Sequence, residues 1–159
     1  MILENDIYLR LPLDYKSISD KILNGCNQAL LKYLLERFWV TDDTDLNDDL
    51  GFVFLLKSRS DATTENDYQY KLYLSCVLDV ATLRKYKFLN DENSWIQISI
   101  DGNEEFSSDM LAKPIIEKLS SFGYIYLNST ELRSGVSDRI KNKLNSFDGN
   151  YFNLLFTEY

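Results

Sequence analysis

Two segments decide how this chain folds: Gly51-Phe52-Val53-Phe54-Leu55-Leu56 and Tyr68-Gln69-Tyr70-Lys71-Leu72-Tyr73-Leu74-Ser75-Cys76. The first is a continuous apolar run, as expected of a central strand covered on both faces. In the second, Tyr68, Tyr70, Leu72, Leu74 and Cys76 take alternate positions and therefore share one face of a strand that runs on toward Val80. The polar stretch 58–67 lies between them. Together they predict a long antiparallel hairpin at the centre of the sequence.

Upstream, residues 7–11 (Ile7, Tyr8, Leu9, Arg10, Leu11) read as a first strand ended by Pro12. Ile18, Ile22, Cys26, Ala29, Leu30, Tyr33, Leu34 and Phe38 recur at helical spacing, and Ser17 with Asp20 suggests a capping box. Gly25 is the soft spot of that helix, costing up to ~1 kcal/mol relative to Ala.

Downstream, residues 81–89 suit a short helix. Ile96, Ile98 and Ile100 place the segment 95–100 in a strand that ends at the turn signal Asp101-Gly102. Pro114 fits the first turn of a helix reaching Phe122, with Gly123 as its stop. A short strand 124–127 follows, then a helix containing Val136, Ile140 and Leu144 that halts near Asp148-Gly149, and a last strand 151–156. No Pro/Gly/Ser linker divides the chain. The expected fold is one domain, residues 1–159, of the α+β (mixed α/β) class: a mixed, largely antiparallel sheet with about three to four helices packed on it.

Composition narrows the chemistry. The 159 residues include 11 Tyr and 9 Phe and no His, and the formal net charge is −8. Without histidine, Ser-His-Asp and Cys-His catalysis and histidine-ligated metals are excluded. Cys26 and Cys76 stand far apart among apolar neighbours, so CxxC motifs are absent and buried free thiols are expected. No GxGxxG, GxxxxGK[ST] or GxSxG occurs, and no cofactor or metal site is expected. Catalysis by Asp, Glu, Tyr or Lys remains open. The start of the sequence lacks a signal peptide's basic and apolar regions, and no apolar run is long enough to span a membrane; a cytoplasmic location without membrane contact follows as an expectation.

The acid is concentrated. Residues 61–110 carry ten Asp and Glu against four Lys and Arg, whereas residues 111–159 carry five against six. The densest cluster is Thr41-Asp42-Asp43-Thr44-Asp45-Leu46-Asn47-Asp48-Asp49-Leu50. Asp43, Asp45 and Asn47 match the first alternate ligands of an EF-hand, but Asp48 stands where the turn needs Gly and Phe54 where a bidentate Glu is needed. A weak oxygen-ligated cation site, a solvated loop or a docking surface for a basic partner remains. In the docking reading, Asp42, Asp43, Asp45, Asp48 and Asp49 steer the partner and the neighbouring Trp39 and Phe38 supply an aromatic anchor. A second acidic patch comprises Asp101, Glu104, Glu105 and Asp109, with Asp91 and Glu92 earlier, and Glu104 and Glu105 are assigned to the same partner surface.

Other clusters have plainer accounts. Arg133, Arg139, Lys141 and Lys143 scatter around a helix, and Tyr68, Tyr70 and Tyr73 have only Lys71 near them, so nucleic acid is not the expected partner. The expected function is an acidic protein-binding domain: an inhibitor or immunity protein that neutralises a basic partner such as a nuclease-type toxin. An adaptor or structural subunit without catalysis is one alternative. A carboxylate-based metal-dependent enzyme is the other.

Overall fold

A computed structural model of the chain describes residues 3–59, 68–89, 92–98, 106–145 and 147–157. At its centre is the expected hairpin, β2 (Gly51–Ser58) and β3 (Tyr68–Ser75), paired antiparallel with Phe52 opposite Leu74, Phe54 opposite Leu72 and Leu56 opposite Tyr70. β1 (Phe38–Asp42) pairs with β2, β4 (Val80–Leu89) with β3 and β5 (Ser94–Ile98) with β4, all antiparallel. The strand order is therefore β1-β2-β3-β4-β5, a meander. One short strand, β6 (Ile125–Tyr126), lies parallel to the start of β4. The fold is thus α+β, on a mixed and mostly antiparallel open sheet.

The side-chain period of two gives the sheet two faces. On the inner face Leu56, Leu72, Leu74 and Leu83 are fully buried. Burial of each such side chain is worth about 1.5–3 kcal/mol. The helices over this face are α2 (Tyr15–Leu23), α3 (Gln28–Leu35) and α4 (Ala112–Leu119). Ile18, Ile22, Leu30, Leu34, Ile115 and Leu119 supply their buried stripes. Among the described residues, helices cover the outer face at one end only. There α7 (Tyr151–Phe156) sets Phe152 and Phe156 against Tyr73, with ring centroids 5.1 and 6.0 Å away. α1 (Glu4–Leu9), α5 (Ser129–Arg133) and α6 (Asp138–Lys143) complete the set, and Ser137 at the start of α6 donates to Glu4 of α1.

Of the seven helices among the described residues, four (α2, α3, α4 and α7) pack on the sheet, as expected, but four individual elements are corrected. Residues 7–11 are not a strand: Leu3, Ile7 and Leu11 are four apart, and α1 buries Ile7 completely. The expected helix from Ser17 to Phe38 is two helices. Gly25 takes φ +92, a left-handed conformation open to Gly at no steric cost, and Asn27 starts α3 by accepting from Ala29 N and Leu30 N. Asp14, not Ser17, caps α2. Phe38 opens β1, whose Phe-Trp-Val-Thr run favours a strand.

Residues 81–89 form β4 instead of a helix, since alternate positions pair with β3 from Tyr68↔Lys87 to Leu74↔Ala81. Residues 151–156 form α7 instead of a strand. Asn150 and Asn153 exchange side-chain and backbone hydrogen bonds there, and this reciprocal cap starts a helix in a run whose periodicity is ambiguous. The Asp101-Gly102 turn lies outside the described residues.

Candidate functional site

The acidic segment joins β1 to β2 and is held by its own side chains. Asp42 Oδ1 accepts from Thr44 N at 3.0 Å and Asp45 Oδ1 from Asn47 N at 2.9 Å, both Asx turns. Asp49 Oδ2 accepts from Asp45 N at 2.7 Å, and Thr44 Oγ1 accepts from Val53 N at 3.0 Å. Asp43 forms an ion pair with Lys71 at 3.8 Å. Asp48 is exposed, and its backbone N–H donates to Asp45 O.

The loop is also clasped from behind. Leu50 N donates to Phe156 O at 2.9 Å, and Asp49 bridges antiparallel to Thr157. Partial burial pushes the Asp49 carboxyl up. The bond from Asp45 N opposes this, and the neighbouring Asp45, Asp43 and Asp48 charges reinforce it. Raising an acid's pKa on folding means that ionisation above the ordinary carboxylate range works against the folded state. The loop therefore retains charge at some cost in stability, a trade common at functional surfaces.

Of the other sequence-predicted site residues, Phe38 is buried on the inner face and cannot serve as an anchor, whereas Trp39 lies on the outer face of β1, 59% exposed, with the Arg59 guanidinium over its ring at 4.0 Å. It stands on the face to which Lys71 also belongs, so Trp39 and the Asp43 ion pair share one side of the sheet. Glu104 and Glu105 lie outside the described residues. Among the described residues no group of three or more Cys, Asp and Glu is arranged to hold a metal ion, so the five aspartates form no coordination shell there.

Two features were not anticipated. Asp109, read only as part of the second acidic patch, faces inward. It accepts from Tyr70 Oη at 2.8 and 2.9 Å, from Lys85 Nζ at 2.8 Å, and from Leu111 N and Ala112 N at 3.0 Å each. Burial alone would raise this carboxyl. The bonds from Lys85, Ala112 and Tyr70 outweigh it and hold the group below the usual range. A carboxylate two to three residues before a helix is the sequence signal that identifies it.

The second is that Cys26 and Cys76 line one cleft of about 340 Å³ with Lys21, Asp79 and Tyr124. Burial pushes both thiols up to about 11; Asp42 and then Cys76 add to it at Cys26, whereas at Cys76 Lys21 opposes it and Asp79 adds to it. A thiol with such a pKa is about one part in a thousand thiolate at pH 8. Native-state alkylation by iodoacetamide at pH 8, followed by mass spectrometry, is therefore expected to run at least about a hundred-fold slower than in the unfolded chain. Equal rates would mean that neither thiol is protected.

Comparison of the chain with protein-family models, with curated protein sequences and with solved structures finds no match. Among the described residues no helix is long and apolar enough to cross a membrane.

Proposed function

We propose that this chain is a protein-binding domain that docks a partner with a cationic surface through the loop from Asp42 to Asp49, and that it acts as an inhibitor of a basic enzyme such as a nuclease-type toxin in the cytoplasm. The observation that carries this reading is the preorganisation of the loop. Hydrogen bonds from Thr44 N, Asn47 N and Asp45 N fix Asp42, Asp45 and Asp49 before any partner arrives, so little ordering entropy is lost on binding. Enzymes that act on nucleic acids present positive surfaces, and a rigid cluster of carboxylates speeds encounter with them and disfavours neutral competitors.

The test is purification of the chain with its partner from the native host, followed by association kinetics. Asp42, Asp43, Asp45, Asp48 and Asp49 are changed together to Asn, which keeps an acceptor oxygen for each local hydrogen bond while removing the charge. Association is expected to slow by about ten-fold or more at low salt, with dissociation little changed. Unchanged association in the five-fold variant would end the docking-loop reading.

A further inference from the structure

The open half of the outer sheet face carries a row of side chains drawn from all five strands of the meander. Trp39 in β1 is opposite Lys57 in β2. Lys57 adjoins Gln69 in β3, one step beyond the Leu56↔Tyr70 pair. Gln69 is opposite Tyr86 in β4, and Tyr86 is opposite Gln97 in β5. Adjacent strands lie about 4.8 Å apart, so Trp39 and Tyr86 are separated by roughly 14 Å across the sheet. On either side of this row lie Arg59, stacked on Trp39, and Lys71, whose ammonium is 5.3 Å from the Tyr86 ring centroid. Phe88 and Trp95 form a tilted pair at 5.1 Å farther along, with Trp95 37% exposed.

The charge of this face is opposite to that of the chain. By the pairing register, the described strand positions on the outer face include Lys57, Lys71 and Arg84 and no Asp or Glu. Asp43 stands only at its margin, paired with Lys71. In a chain of net charge −8, the described strand positions of this face thus interleave aromatic rings, cations and amides without acid. Tyr68, Tyr70 and Tyr73 play no part here: Tyr70 is buried on the inner face, Tyr68 shares that face, and Tyr73 lies beneath α7.

We infer that this face binds a single-stranded polynucleotide, with bases stacked on Trp39 and Tyr86 and phosphates held by Lys57, Arg59 and Lys71. Sheets bind single strands in this way because every base has a π-face that an exposed ring can accept, whereas a duplex keeps its bases stacked on each other. Gln69 and Gln97 stand where base edges would pass and carry both donors and acceptors. The acidic loop bounds the site at the Asp43 end and directs the strand toward the Trp95 side. The inference is independent of the role proposed for that loop.

The experiment is fluorescence anisotropy of the full chain with fluorescein-labelled oligo-U and oligo-dT of about 12 nucleotides, a length within the usual range for such sites. A duplex of the same length, heparin and a labelled oligo-glutamate peptide are the competing probes. Single strands are expected to bind, and to weaken roughly ten-fold between about 50 and 200 mM salt, as release of two to three counterions implies. Trp39→Ala is expected to weaken binding about ten-fold, the equivalent of one lost base stack, whereas Trp39→Phe retains most of it. Lys57→Gln weakens binding and flattens the salt dependence. Tyr15→Ala, an exposed ring on α2, changes nothing. Binding of either RNA or DNA supports the inference, and their ratio identifies the ligand. Absence of single-strand binding, equal binding of duplex or heparin with no effect of Trp39→Ala, or tighter binding of oligo-glutamate, which would indicate an acidic protein partner, each overturns it.

Discussion

Replacing Asp109 with alanine is expected to destabilise the fold by about 3 kcal/mol, because it strands a cation in the interior. The Lys85 side chain is 20% exposed and that of Asp109 11%, so their 2.8 Å contact is largely screened from water. The same carboxylate accepts the Tyr70 hydroxyl, and Tyr70 is only 2% exposed. It also caps the turn leading into α4 through Leu111 N and Ala112 N. Truncation leaves four donors without their acceptor at once.

Urea unfolding at pH 7 measures the loss, and a change below about 1 kcal/mol would show that water replaces the carboxylate easily. The pH dependence has a definite sign. The folded carboxyl titrates below the ordinary value and the unfolded one near 3.9. The contribution is therefore fully present above about pH 4 and disappears as pH falls through the lowered folded value. The wild-type chain should lose stability in that acid window, and the Asp109→Ala variant should lose less there.

Gly51→Ala is expected to be at least as severe, at about 3 kcal/mol or more, with poor recovery of folded protein. Gly51 opens β2 opposite Ser75, and a methyl group there would sit 2.9 Å from both the Leu74 carbonyl carbon and Ser75 Cα, and closer still to the Leu74 oxygen. The obstacle is the backbone of the neighbouring strand in the middle of the sheet, which no rotamer change can relieve. Gly135→Ala is the matched control. Nothing lies within 4 Å of a Cβ built there, and the cost should stay within about 0.5 kcal/mol. Thermal melting of the two variants side by side checks the contrast; equal melting temperatures would mean that β2 and β3 separate readily at Gly51.

The sequence made the hairpin legible because alternation over Tyr68, Tyr70, Leu72 and Leu74 admits one period only. It did not reveal α7, since Tyr151-Phe152-Asn153-Leu154-Leu155-Phe156 is apolar on nearly every side and carries no period. The break at Gly25 was visible as a weakness, but its left-handed φ depends on where α3 must begin. Among the site residues, the aspartates could be found as a cluster. Which of them turn inward to bind the loop's own N–H groups could not, because that is decided by the course of the backbone between β1 and β2. The row on the outer face takes one residue from each of five strands, and only pairing register brings those residues together.

The clasp behind the acidic loop has a consequence for how that surface comes into being during synthesis. The meander consists of neighbouring strands and can pair as it leaves the ribosome, whereas Leu50 waits for the Phe156 carbonyl and Asp49 for Thr157. Ser75 likewise donates across 80 positions to the Leu155 carbonyl at 2.6 Å. The loop acquires its final shape about a hundred residues after it is made. Until residues 155–157 are made, the aspartates lack the clasp on Leu50 and Asp49, so the docking proposed for this loop would meet its clasped form only after that point.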